Sequence, residues 1–155
     1  MDLVLSSSDS NPDLADKWTG MGPIHHAAHL GLTNTVSKLL YRKCAIDLKD
    51  GNGTTALMMA CATGNEKMVK LLLEEKADPE IRDKYLWNAL FYAAYGGNHA
   101  VTTKILNEGV NKKLKDKQKK MAIEWAEFMG HGDVCALLEI FTIEMSTDKY
   151  RSKFG

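Results

Sequence analysis

Two histidines of this chain have a spacing that suggests metal chemistry. His25 and His29 stand four residues apart, which on a helix puts both imidazoles on one face, as in the HExxH zinc motif. The glutamate of that motif is missing, because His26 follows His25 directly, and the sequence places no third ligand. We therefore predict no metal site here.

Catalytic signatures are missing as well. The chain has no GxSxG nucleophile elbow, no phosphate-binding GxxxxGK[ST] and no Cys–His pair in a known arrangement. Cys44, Cys61 and Cys135 lie far apart among apolar residues, which is typical of reduced, buried thiols. We expect no catalytic residue, no cofactor and no enzymatic activity.

A run of lysines offers electrostatic chemistry instead. It comprises Lys112, Lys113, Lys115, Lys117, Lys119 and Lys120. Such a run can bind an acidic peptide, a phosphate or a nucleic-acid backbone, although a solvated loop explains it equally well. The 20 basic and 20 acidic residues of the whole chain cancel, so nucleic acid is the less favoured ligand. Anion or nucleic-acid binding through 112–120 is the alternative function.

Composition describes one soluble domain of ordinary size. The chain has 155 residues, of which 45% are hydrophobic and 26% charged. No apolar run approaches the roughly 18 to 20 residues that span a bilayer. The first residues lack the basic start and long apolar core of a signal peptide. We expect a cytoplasmic location, with the nucleus also open, and no membrane partner.

An internal repeat of 33 residues organises the chain. Apolar segments with alanine at their fifth position recur at this interval, beginning at Pro23, Ala56, Ala89 and Ala122, and the first three have another small residue at the sixth. A glycine follows each at the same interval, as a helix C-terminus favours. A second segment with apolar residues at helical spacing comes next. Each unit is predicted to be a helical hairpin, and neighbouring hairpins must stack to bury their apolar faces.

This repeat resembles the ankyrin repeat family. The resemblance rests on the in-register period, on Gly-Pro-Ile-His-His-Ala-Ala at 22–28 and on Gly-Asn-Glu-Lys-Met-Val-Lys-Leu-Leu-Leu at 64–73. It covers about residues 16–141 and implies an all-α ankyrin-repeat solenoid of stacked helix-turn-helix units joined by hairpin-like loops. His25 matches the histidine that the family uses as a brace between loops. The repeats are predicted at about 17–49, 50–82, 83–115 and 116–141, and the last is the least typical.

Both ends are predicted to lie outside the repeats. Residues 1–15 are predicted to be a flexible N-terminal tail, although Leu3-Val4-Leu5 and Asn11-Pro12-Asp13 leave open the end of a preceding repeat. Residues 142–155 are predicted to be a C-terminal tail or linker, and the chain could be part of a longer protein.

The resemblance implies that loop tips and first helices line a concave groove that binds a partner protein. At these positions the third and fourth repeats carry aromatic residues, where the second has threonine and alanine. Exposed aromatics are enriched at interface centres, although Trp87 and Tyr95 could also be local core. The predicted partner-binding residues are Trp18, Met21, His29, Leu30, Tyr85, Trp87, Tyr95, Phe128 and Met129. Lys112, Lys113, Lys115, Lys117 and Lys120 are predicted to form a rim that steers an acidic partner. The expected function is that of a scaffold or adaptor binding a protein or peptide.

Overall fold

Eight helices make up the part of the chain that the computed structural model describes, residues 11–142, and this part has no strand. They are α1 Pro23–His29, α2 Thr33–Tyr41, α3 Ala56–Thr63, α4 Glu66–Glu74, α5 Ala89–Gly96, α6 His99–Asn107 and α7 Ala122–Phe128, with α8 over 132–142. Consecutive helices pair into four hairpins, so the predicted all-α repeat architecture is confirmed. Residues 1–10 and 143–155 lie outside the described part, and the two predicted tails stay predictions.

Small residues bring the first helices of the hairpins together. Helix α3 packs between α1 and α5, and α5 packs against α7. Ala27, Ala28, Ala60, Cys61 and Ala93 are fully buried in this row. Because alanine and cysteine leave little bulk between backbones, neighbouring helices can approach closely. The inner row of helices therefore forms one continuous core through the repeats.

An aspartate organises each loop between repeats. The Asp83 Oδ1 accepts the backbone N–H groups of Tyr85 at 2.8 Å and Trp87 at 2.9 Å, and Asp50 and Asp116 make the same pair of bonds in their own loops. These loops close over four residues, whereas the first closes over five, from the Asp16 N–H to the Met21 carbonyl. The first loop is therefore one residue longer than the other three.

Neighbouring loop tips are joined edge to edge. The N–H groups of Gly51, Lys84 and Lys117 donate to the carbonyls of the preceding tips, at 2.8, 2.9 and 3.2 Å. These donors follow one another at the 33-residue period. The tips are therefore fixed relative to one another, and side chains of successive tips lie next to each other along one side of the stack.

The described chain begins with a turn of the inter-repeat type. The Asn11 Oδ1 accepts the N–H of Asp13 at 3.0 Å, as the Asp78 Oδ1 accepts the N–H two residues on at 2.9 Å. The Asp13 Oδ1 in turn accepts the Ala45 N–H at 2.9 Å. The start of the described chain is therefore hydrogen-bonded to the first repeat.

Candidate functional site

Four aromatic rings meet between the third and fourth repeats. The ring centroid of Trp87 lies 5.3 Å from that of Tyr92, 5.6 Å from Tyr95 and 5.2 Å from Trp125. Tyr95 and Trp125 are 6.2 Å apart. These distances are typical of tilted and edge-to-face contacts. The rings border a pocket of about 410 Å³, here called the aromatic pocket, which is lined by Tyr85, Trp87, Tyr92, Tyr95, Asp116, Lys117, Gln118 and Trp125.

One carboxylate fixes both indoles. The Asp116 Oδ2 accepts the indole N–H of Trp87 at 2.9 Å and that of Trp125 at 2.8 Å, while Oδ1 accepts the backbone N–H groups of Gln118 and Lys120. Burial by itself raises the pKa of Asp116, but these hydrogen bonds outweigh it and hold the pKa below its usual value. Asp116 is therefore an ionised acceptor that orients two walls of the pocket.

The Tyr92 hydroxyl is also satisfied inside the protein. It donates to the Asp83 Oδ2 at 2.5 Å. Burial, and then the neighbouring carboxylate, raise the pKa of Tyr92 far above its usual value, so the phenol stays protonated. With both indole N–H groups bound as well, Trp87, Trp125 and Tyr92 offer the pocket mainly ring carbon.

Three lysines stand beside the aromatic pocket. The Lys120 Nζ lies 4.7 Å from the Trp125 ring centroid and the Lys84 Nζ 5.0 Å from that of Tyr85, which are cation–π distances. Lys117 lines the pocket directly. The acidic groups Asp83 and Asp116 are buried and hydrogen-bonded, so the opening of the pocket is positively charged.

The other predicted rim lysines lie elsewhere. Lys112, Lys113 and Lys115 line a separate cavity of about 700 Å³ together with residues of α7 and α8, including Ile123 and Leu138. The Lys112 Nζ lies 5.7 Å from the ring centroid of Phe141 in α8. The lysine run therefore divides between two surfaces, because the chain turns at Asp116 in the middle of it.

The predicted binding residues also separate into two groups. Tyr85, Trp87 and Tyr95 line the aromatic pocket, and Phe128 joins it through Trp125, with ring centroids 5.8 Å apart. Met129 follows on the same helix end and is partly exposed. Trp18, Met21, His29 and Leu30 belong to the first repeat and do not line this pocket. Trp18 is 95% exposed.

Sequence reasoning missed three residues of the site, namely Tyr92, Trp125 and Asp116. A signal for the first two was present. Tyr92 and Trp125 stand 33 residues apart at the same position of the first helix, where the first and second repeats have His26 and Met59, so this position is aromatic only in the third and fourth repeats. The bond of Asp116 to two indoles has no counterpart in the pattern, because the tryptophans lie 29 and 9 residues away along the chain.

The histidine pair does not form a site. His25 is fully buried: its Nδ1 accepts the Gly22 N–H at 2.9 Å, and its Nε2 lies 2.8 Å from the Leu48 carbonyl and 3.1 Å from that of Thr54. The ring thus links the first helix to the next loop, as the resemblance implies, and His29 is exposed. Among residues 11–142, no three His, Cys, Asp or Glu side chains are grouped so that they could hold a metal ion.

Comparison with known families identifies the class of protein. Residues 2–83 match the family described as ankyrin repeats, with three copies. Because this match spans more than half of the 155 residues, the chain belongs to the ankyrin repeat family. The structure continues the same hairpins beyond the matched residues, through α8. Ankyrin repeats are generally protein–protein interaction modules and typically non-catalytic. No helix within residues 11–142 is long and apolar enough to cross a membrane.

Proposed function

We propose that this chain is a non-catalytic scaffold or adaptor that binds a protein or peptide on the concave side of the repeat stack, with the aromatic pocket as the main contact. The observation that carries the proposal is a comparison between repeats. Where the third repeat has Tyr85, Trp87 and Tyr95, the second has Asn52, Thr54 and Ala62 in the same fold. The fold does not require aromatic residues at these positions, which supports a role in binding.

The charge around the pocket favours a partner with acidic character. Lys84, Lys117 and Lys120 surround it, and long-range attraction by such a rim accelerates association with an acidic surface. The net charge of the chain is zero, so this attraction is local. The proposed partner is not a membrane, and nucleic acid is disfavoured as a ligand.

The proposal includes a cytoplasmic or nuclear location. Cys44, Cys61 and Cys135 are all unpaired. Burial raises the pKa of the Cys44 and Cys61 thiols, so these two are protonated and unreactive. Free thiols are common in reducing compartments, and imaging of a tagged chain tests the assignment.

Differential capture tests the binding surface. The tagged wild-type chain, Tyr85→Ala/Tyr95→Ala and Tyr41→Ala are used as baits, and captured proteins are quantified. The Tyr85 and Tyr95 side chains are partly exposed, and Tyr41, the control, is 90% exposed outside the pocket. We expect partners that the wild type and Tyr41→Ala capture to fall at least about tenfold with the double variant, since truncating an interface anchor costs about 2 kcal/mol or more. Unchanged capture by a folded double variant, judged by circular dichroism, contradicts the proposal.

The alternative is anion or nucleic-acid binding through 112–120. A salt titration with a single-stranded oligonucleotide distinguishes it, because binding dominated by phosphate contacts falls steeply as salt rises. Loss of that binding in Lys112→Glu/Lys113→Glu, without any effect of Tyr85→Ala/Tyr95→Ala on partner capture, would favour the alternative.

A further inference from the structure

We propose that the aromatic pocket accepts one aromatic side chain of the partner, from a segment in which acidic residues flank that side chain. The inference rests on the proposed function and specifies its ligand. Three properties of the pocket carry it: the chemistry of its walls, its volume and the charge at its opening.

The walls select an apolar, planar group. The N–H groups of Trp87 and Trp125 are bound to Asp116, and the hydroxyl of Tyr92 is bound to Asp83. These side chains can meet a ligand only with ring faces and ring edges. Aromatic rings pack well against such walls in offset or edge-to-face arrangements, and each pair gains about 0.5 to 1.5 kcal/mol beyond the burial of area.

The volume is sufficient for one aromatic side chain. The pocket measures about 410 Å³, near the lower end of the roughly 300 to 1,000 Å³ found for small-molecule sites. It is large enough for a phenyl or indole ring. At the positions equivalent to Trp87 and Tyr95, which line this pocket, the second repeat has the smaller residues Thr54 and Ala62.

The charge at the opening disfavours a cationic ligand. Aromatic clusters often bind quaternary ammonium groups, but here Lys84 and Lys120 already lie over Tyr85 and Trp125. Asp116, the carboxylate nearest to the indoles, is buried and bound to both. A ligand cation would meet ammonium groups without a free carboxylate to balance them. Carboxylates next to the aromatic side chain would instead pair with Lys117 and Lys120.

The lysines can reach such carboxylates at little cost. A cation–π contact at an exposed site contributes about 0.5 to 1 kcal/mol, so Lys120 can leave the Trp125 face and pair with a carboxylate. Lys117 follows Asp116 directly, and its N–H is bound to the Tyr85 carbonyl. Its backbone is therefore fixed at the edge of the pocket, and the residue is exposed.

Three synthetic peptides test the inference: Asp-Glu-Glu-Phe-Glu-Glu-Asp, the same peptide with alanine at its centre, and Lys-Lys-Lys-Phe-Lys-Lys-Lys. Indole N–H signals in nuclear magnetic resonance spectra report binding, because Trp87 and Trp125 line the pocket and the exposed Trp18 is an internal control. We expect the first peptide to shift the Trp87 and Trp125 signals and leave Trp18 unchanged. Both other peptides should bind at least about tenfold more weakly, a difference of about 1.4 kcal/mol.

Charge reversal tests the rim with a matched control. Lys117→Glu/Lys120→Glu should weaken the first peptide by about tenfold or more. Lys38→Glu/Lys67→Glu changes the net charge equally on exposed positions of α2 and α4 and should have less than about a threefold effect.

Two outcomes overturn the inference: no shift of the Trp87 and Trp125 signals at about 1 mM of the first peptide, or equal binding of the alanine or lysine peptide. Its failure is distinguishable from failure of the proposed function. Loss of partner capture in Tyr85→Ala/Tyr95→Ala, together with no peptide selectivity, rejects only the ligand class. Unchanged capture in that variant rejects the binding surface itself.

Discussion

The carboxylate of Asp116 is the residue on which the aromatic pocket depends most directly. Asn at this position would turn an N–H₂ group toward donors, because both oxygens of Asp116 accept two bonds each. We expect Asp116→Asn to lower the free energy of unfolding by about 1 to 3 kcal/mol, measured by urea denaturation. Asp78→Asn is the control, since the Asp78 Oδ1 accepts the N–H two residues on, which an asparagine does at Asn111. Equal effects of the two variants would contradict this role.

The Asp116 carboxylate should also make the free energy of unfolding depend on pH in the acidic range. Because the pKa of Asp116 is lower in the folded state than its ordinary value, the unfolded chain binds the proton more readily. The stabilisation is therefore complete above the ordinary pKa of about 4 and is lost as the pH falls through the folded value. Wild type should lose more stability than Asp116→Asn between neutral pH and this acidic range, in urea denaturations at stepped pH. Parallel losses would show that Asp116 is not the responsible group.

Leu86 holds a left-handed backbone conformation for which the first two repeats use glycine. Its φ is +65°, and the equivalent Gly20 and Gly53 have φ of +69° and +78°. A side chain in this left-handed region costs roughly 1 to 2 kcal/mol, which the greater flexibility of glycine in the unfolded chain partly offsets. Lys119 holds the same conformation at the equivalent position of the fourth repeat, with φ of +64°, and it is exposed. Lys119→Gly should therefore stabilise the protein by about 0.5 to 1 kcal/mol in thermal unfolding. Lys84→Gly, at an exposed loop position whose φ is not positive, should destabilise it. Destabilisation by both changes would contradict the strain.

Helix contacts depend on a few small side chains. Ala60 is fully buried where α3 meets its neighbours, and Ala62, two residues on, is exposed. Leucine at a tightly packed position forces neighbouring groups apart, at a cost of about 1 to 3 kcal/mol. Ala60→Leu should lower the unfolding midpoint in denaturant, while Ala62→Leu should leave it within about 0.5 kcal/mol of wild type. Similar midpoints for the two variants would mean that the inner row is loosely packed.

Element positions were predictable because the period repeats several local signals together. An alanine, a following glycine and apolar residues at helical spacing recur together at intervals of 33 residues, so each repeat supports the assignment of the others. Orientation within the helices was less accessible. Trp125 and Tyr92 stand among core residues, and their rings meet Trp87 through packing within the third repeat for Tyr92 and between repeats for Trp125.

At the scale of the whole molecule, the sequence predicted the stack of repeats but not which side chains share a surface. The lysines at 112–120 are contiguous in sequence, yet the loop sends Lys117 to the aromatic pocket and Lys112 to the cavity beside α8. Spacing along the chain could not show this, because the turn around Asp116 reverses the direction of the backbone. Likewise, Trp18 and Trp87 both follow a loop aspartate, but only Trp87 has aromatic neighbours from the next repeat.

Because each repeat of the stack contacts only its neighbours, a destabilising substitution in one repeat should lower the stability of that repeat and its neighbours more than that of distant repeats. His25 joins α1 to the next loop through Gly22, Leu48 and Thr54. His25→Ala leaves buried polar groups unpaired, each at about 1 to 3 kcal/mol, and should lower hydrogen-exchange protection in α1 and α2 far more than in α5 and α6. His29→Ala, at an exposed position of the same helix, should leave the protection of both regions unchanged. Equal loss of protection in all repeats would show that the stack unfolds as a single cooperative unit and that the brace is not local.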